Sequence, residues 1–308
     1  MRSGSLVSAA FLLFAVGLQL PTAGAAEEQA QFASPDAAVN ALIEAAVADD
    51  PDAVRRVLGP EIEKLRSGDP VADAQERQAF AEAAVESAKI EESGGDHAVL
   101  VIGADDWPFP IPLVKDAAGW RFDTQAGADE LMSRRIGSNE LTTIDVLREL
   151  VEAEHEYQAV DRDGDGVHAY AQRLLSTKGK RDGLYWPTSG DEPESPVGAL
   201  VAEAAAQGYS AGKGDEPHPY HGYLFRLLDA QGAAAPGGEK GYRDAQGRLV
   251  GGFAILAYPV QYGVSGIMTF VIDQSGMLFQ KDLGEQTPAK AQAISRFDPD
   301  KSWTPVLE

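Results

Sequence analysis

Apolar positions between residues 26 and 122 recur first at helical and then at strand spacing. Val39, Leu42, Ile43 and Ala46 form one stripe of period 3.6. Ser34 as N-cap, Pro35 in the first helical position and Asp36 against the dipole predict where that helix begins. Asp49-Asp50-Pro51 interrupts it, and Asp52 to Leu58 predicts a second short helix stopped by Gly59-Pro60. Glu61 to Arg66 and Asp73 to Lys89 read as further amphipathic helices, with Gly68-Asp69-Pro70 between them. At Gly94-Gly95 the period changes to that of strands. His97 to Ile102, Ile111 to Val114 and Gly119 to Phe122 are the strands predicted.

The second half begins, on this reading, at Ser138, which can cap a long helix with Glu140 in its first turn. Leu141, Ile144, Leu147 and Val151 share one face, while Glu149, Glu152, Glu154 and Glu156 charge the remainder. Pro196 to Gln207 reads as another helix. Tyr223 to Leu228, Phe253 to Tyr258, Ile267 to Ile272 and Leu278 to Lys281 follow as four strands, the last two joined by the turn Asp273-Gln274-Ser275-Gly276. The expected class is α+β, with two domains at 26–137 and 138–308, each made of helices packed on a small antiparallel sheet.

Composition narrows the chemistry. The 308 residues are 44% hydrophobic and 24% charged, which is ordinary for a globular chain. With 48 acidic against 26 basic residues the formal charge is −22, which repels nucleic-acid phosphates and anionic lipid. There is no cysteine, so disulfides, thiolate catalysis and cysteine-ligated metals are excluded. Arg2, the apolar run Leu6 to Leu20, Pro21 and Ala23-Gly24-Ala25 read as a secretory signal over 1–25, cleaved before Ala26. The apolar run is shorter than the ~20 residues a span needs, so no membrane insertion is expected after cleavage. The mature chain is expected in the periplasm or outside the cell.

Two groups of residues are candidates for binding. Asp161, Asp163 and Asp165 ahead of Gly166 match the first half of a calcium loop, whose hard cation takes several oxygen ligands. Gln172 stands where the bidentate glutamate would be, so any calcium site here is expected to be weak; a solvated acidic turn accounts for the same residues. Trp107, Trp186, His218, His221 and Tyr223 are candidates for an aromatic ledge holding a small ligand, with a rigid connector and an ordinary loop as the plainer readings. Gly263-Val264-Ser265-Gly266 is not a nucleophile elbow, since its second glycine falls one place early. Neither a P-loop nor a dinucleotide-binding glycine motif occurs, and no catalytic set assembles.

Several segments carry resemblances. The opening helix, the Asp-Asp-Pro turn and "IPLVKDAAGWRFD" are similar to the nuclear-transport-factor-like cone fold, which implies a small-molecule-binding or dimerising module. "HGYLFRLLDAQG" and "GGFAILAYPVQYG", behind a long helix, resemble the globular head of pseudopilins. Pilin assembly needs an uninterrupted apolar N-terminal helix, whereas the helix here is internal and acidic. Taken together, "DDWPFPIPLVKD", "GWRFDT", "RRIGSNEL", "STKGKRDGLYWP", "PYHGYLFRLL" and "YGVSGIMTFVIDQSG" resemble the exported bacterial family called domain of unknown function 2950. That resemblance implies export and carries over no catalytic residue.

The expected function is a non-catalytic envelope module for binding or assembly, with a small ligand or an envelope protein as partner. A carboxylate-dependent hydrolase or isomerase is the alternative, and it would show as two carboxylates in one cleft with one pKa strongly raised. An accessory partner of an envelope secretion or pilus machine is the third reading.

Overall fold

The computed structural model describes residues 29–162, 164–188, 193–209 and 218–307. The signal sequence expected at 1–25 lies outside the described residues.

Proline and an acidic or hydroxyl cap start the first helices. In α1 (Pro35–Val47) the Ser34 Oγ accepts the Ala37 amide hydrogen at 3.2 Å, and in α2 (Pro51–Leu58) Asp50 Oδ1 accepts that of Ala53 at 2.9 Å. A 3-10 turn (Pro60–Leu65) leads to α3 (Pro70–Glu86). The helix expected to reach Lys89 stops at Glu86, because the chain turns extended at Ser87 and enters β1 (Ala88–Ser93). Gly94 and Gly95, both with positive φ, make the turn into β2 (His97–Ile102). Next come β3 (Trp107–Pro108), β4 (Leu113–Lys115) and β5 (Trp120–Phe122). The sheet runs β1-β2-β4-β5, all antiparallel, with β3 also paired to β2. Leu42 of α1 and Ala84 of α3 close over it, burying Leu100, Ile102, Ile111, Leu113 and Phe122.

The long helix differs from expectation. α4 runs unbroken from Thr124 to Gln158, 35 residues, capped by Asp123 and not by Ser138. Gly137 and Ser138, where the sequence suggests a division between domains, lie inside it. Its first turns are tied to the first sheet at Gly127, where a Cβ would come within 2.6 Å of the Ile111 Cα and 2.7 Å of the Pro110 carbonyl oxygen. Further along, Val146, Leu147, Leu150 and Val151 pack on the second sheet.

After α5 (Gly198–Ala206) come β6 (Tyr223–Leu228), the short pair β7 (Ala230–Gln231) and β8 (Lys240–Gly241), then β9 (Ala254–Pro259), β10 (Met268–Asp273), β11 (Leu278–Asp282), α6 (Thr287–Ala293) and β12 (Thr304–Pro305). The second sheet is antiparallel in the order β12-β11-β10-β9-β6. Alternate residues of β9 face opposite ways: Ile255 and Ala257 toward α4, Ala254, Leu256 and Tyr258 toward Phe297 and Ala291. Because both faces are covered, all six residues of β9 are buried and the strand reads as a continuous apolar run. The expected turn between β10 and β11 is present, with Asp273 Oδ1 accepting the amide hydrogens of Ser275 and Met277. Among the described residues no helix is long and apolar enough to cross a membrane.

Candidate functional site

A buried polar cluster sits where the segment before α3 meets the end of α5 and the start of β6. Asp69 is completely buried. Its Oδ1 caps α3 by accepting from the amides of Val71 and Ala72, both at 3.1 Å. Its Oδ2 accepts from the Tyr209 hydroxyl at 2.9 Å and the Gly222 amide at 3.0 Å. Four donors converge on one carboxylate, which is how a charge is kept in an interior. The Tyr209 oxygen in turn accepts the amide hydrogen of His221 at 3.2 Å. Burial, and next the Asp69 charge, push the Tyr209 hydroxyl far above the usual tyrosine range, so it stays a donor.

His221 has φ +47° and Gly222 φ +72°, a left-handed pair that turns the chain into β6. The imidazole lies against Tyr220 and Tyr209, with ring centroids 4.5 and 5.6 Å apart, and its Nε2 is 3.1 Å from Gln207 Oε1. Burial holds it below the ordinary histidine value, against the pull of Asp69 and Glu203. A neutral histidine, a protonated phenol and a carboxylate with four donors offer no activated nucleophile. The cluster is a fastener.

The same seam continues along α4. Arg135 donates to the Glu76 carboxylate and to the Leu65 carbonyl; Asn139 Nδ2 donates to the Ser265 carbonyl at 2.9 Å. Glu140 Oε1 accepts from the amides of Ile267 and Met268, both at 2.9 Å. Ser265 uses its hydroxyl on both polar groups of the Gln261 backbone. Three segments quoted above, "RRIGSNEL", "PYHGYLFRLL" and "YGVSGIM", therefore meet here. Asp69, Glu140 and Tyr209 were not singled out as site residues from the sequence; Glu140 lies within the polar segment "RRIGSNEL", whereas Asp69 and Tyr209 lie outside all three segments.

The ledge residues are dispersed. Trp107 is on β3, 39% exposed, with the Arg134 guanidinium 4.6 Å from its ring centroid. Trp186 is 4% exposed in the core under α4, its Nε1 donating to the Pro193 carbonyl at 3.3 Å. Tyr223 is fully buried in that same core and donates to the Met268 carbonyl at 2.9 Å. His218 is exposed and His221 belongs to the fastener. A shallow, open depression of about 430 Å³ lies elsewhere, beside α1 and α2, lined by Phe32, Ala41, Ala45, Ala53, Arg56 and Val57.

In the acidic loop Asp161 accepts from the amides of Gly164 and Gly166, at 2.8 and 2.9 Å. Asp165 accepts from the Val167 amide and pairs with Arg248, which also holds Asp244. Asp163 lies outside the described residues. Among the described residues no group of three or more histidines and carboxylates is arranged to hold a metal.

With this geometry in place, the comparison with known proteins decides the family. The family described as protein of unknown function (DUF2950) matches residues 29–306. The chain belongs to it. No curated protein and no solved structure matches the chain. Within the DUF2950 match fall both sheets, the whole of α4 and every residue of the fastener.

Proposed function

We propose that this DUF2950 chain is a non-catalytic module, exported and working by binding or assembly in the cell envelope. The observation that carries the reading is the spending of reactive groups on the fold. Asp69, Tyr209 and Glu140 each use their polar atoms to join distant segments, and the Ser265 hydroxyl is taken up by the Gln261 backbone. The rival hydrolase reading asks for two carboxylates sharing a cleft. Glu154 is a buried carboxyl with its pKa raised to about 8, but burial and the Ala171 amide set that value, with no second carboxylate contributing. The open depression beside α1 and α2 is apolar enough to accept a small ligand or a partner side chain.

The test is a panel of ester, peptide, glycoside and phosphate substrates with the purified protein. No turnover is the expected outcome. Hydrolysis that disappears in Glu154→Gln or Asp69→Asn would overturn the reading. Mass spectrometry of the protein recovered outside the cytoplasm tests export, with an N-terminus at Ala26 expected.

A further inference from the structure

Residues 170–186 fold back on themselves and dock on α4. The amides of Gln172, Leu184 and Tyr185 donate to the carbonyls of Asp182, Arg173 and Leu174, at 3.1, 3.1 and 3.0 Å. Two side chains of α4 hold this segment. The Tyr157 hydroxyl donates to the Arg181 carbonyl, and Glu154 Oε2 accepts the Ala171 amide hydrogen at 2.8 Å. Glu154 has no exposure to solvent, and its Oε1 has no hydrogen-bond partner among the described residues. An ionised carboxylate in that position would be a buried charge with one donor, which is a costly state.

We propose that Glu154 is a proton-dependent latch: protonated, it lets residues 170–186 stay docked on α4, and loss of its proton lets the segment lift and uncover Trp186.

Among the described residues, the groups facing Glu154 give the negative charge no counter-ion. From the docked segment comes Tyr170, whose own hydroxyl is raised by burial and by Glu154. The charged groups of that segment are Arg173, Lys178, Lys180, Arg181 and Asp182, and Arg173 and Asp182 lie 3.9 Å from each other. On α4, His155 directs Nε2 to the Gln274 carbonyl at 2.8 Å and Tyr157 bonds Arg181. From the second sheet's side comes Phe253, which does not titrate and packs edge-on against His155 and Tyr170.

The direction follows from linkage. Docked, the carboxyl keeps its proton up to about 8; lifted into water it titrates near its ordinary 4.5. Between those values each pH unit favours the lifted form by up to about tenfold, and outside them the effect is flat. Docking is therefore tightest in acid and weakens toward pH 8.

Hydrogen exchange followed by mass spectrometry between pH 5 and 9, corrected for the chemical exchange rate, tests this on the intact chain. Protection of 170–186 should fall by up to about tenfold per pH unit from 5 to 8 and then level. Protection of 97–122 should not change. In Glu154→Gln, 170–186 should stay protected at every pH. Protection that is flat in the native chain, that falls equally in Glu154→Gln, or that falls in step at 97–122 would overturn the latch. Tyr157→Phe, which removes the other side-chain bond from α4 and leaves the Tyr170 amide on the Leu249 carbonyl, should lower protection of 170–186 by one factor at every pH. Loss of the pH dependence in Tyr157→Phe would also overturn it.

Discussion

The Tyr209 hydroxyl donates to Oδ2 of Asp69, a residue 140 positions earlier in the chain, at 2.9 Å. The bond closes a buried cap, so its removal strands partners on both sides. Tyr209→Phe leaves Asp69 short of one donor and the His221 amide without its acceptor, at a cost of about 1–3 kcal/mol. Asp69→Ala strips acceptors from three amides and the phenol and should cost more. Chemical denaturation measures both. A Tyr209→Phe protein as stable as the native one would mean that the fastener contributes nothing.

Gly137 is exposed in the interior of α4, and a Cβ there would meet nothing within 4 Å. Gly137→Ala should therefore stabilise by about 0.5–1 kcal/mol, the helix-interior difference between the two residues. Thermal unfolding should show a rise of about 2 °C. A fall would mean that the helix has to bend there.

Gly266 is the opposite case. A Cβ would stand 2.1 Å from the Tyr223 hydroxyl oxygen and 2.6 Å from its Cζ. Gly266→Ala should cost about 1–3 kcal/mol or more, because the ring is fully buried and cannot move aside. Adding Tyr223→Phe removes the oxygen but leaves the ring carbon, so denaturation curves of the double variant should show no full rescue.

Arg248 stands where a cation would have to act on the acidic loop. Its guanidinium already neutralises Asp165, and any calcium must compete with it. Arg248→Gln should therefore enlarge the rise in melting temperature that calcium at about 10 mM, a concentration suited to weak extracellular sites, produces. Differential scanning fluorimetry with and without the ion measures it. No response in either protein would leave the loop as a solvated turn.

Strands bounded by clear turns were legible in the sequence. β2 lies at His97–Ile102 as expected, β6 at Tyr223–Leu228, and β10 and β11 meet at the expected Asp273 to Gly276 turn. The start of α4 was not legible, since residues 129–140 alternate charged, polar and small residues without a wide apolar stripe. Packing of Gly127 on Ile111 and the Asp123 cap extend the helix there. β1 escaped because Ala88 to Ser93 is almost wholly exposed and is made a strand by pairing with β2, a long-range effect that local pattern does not report. The fastener was hidden for the same reason. Asp69 reads locally as a cap between Gly68 and Pro70, and only the fold brings residues 209 and 222 to its second oxygen.

The cap of α3 also sets an order of events during synthesis. Gly222 follows Asp69 by 153 residues, so at ordinary elongation rates it emerges about 8–30 s later. In that interval the second Asp69 oxygen is served by water, and α3 lacks its outer fastening. The first sheet can collapse around Leu100 and Phe122, but the cap of α3 is completed only when Gly222 arrives, a late contact of high sequence separation. A nascent chain that cannot complete its first half early stays pliant for longer.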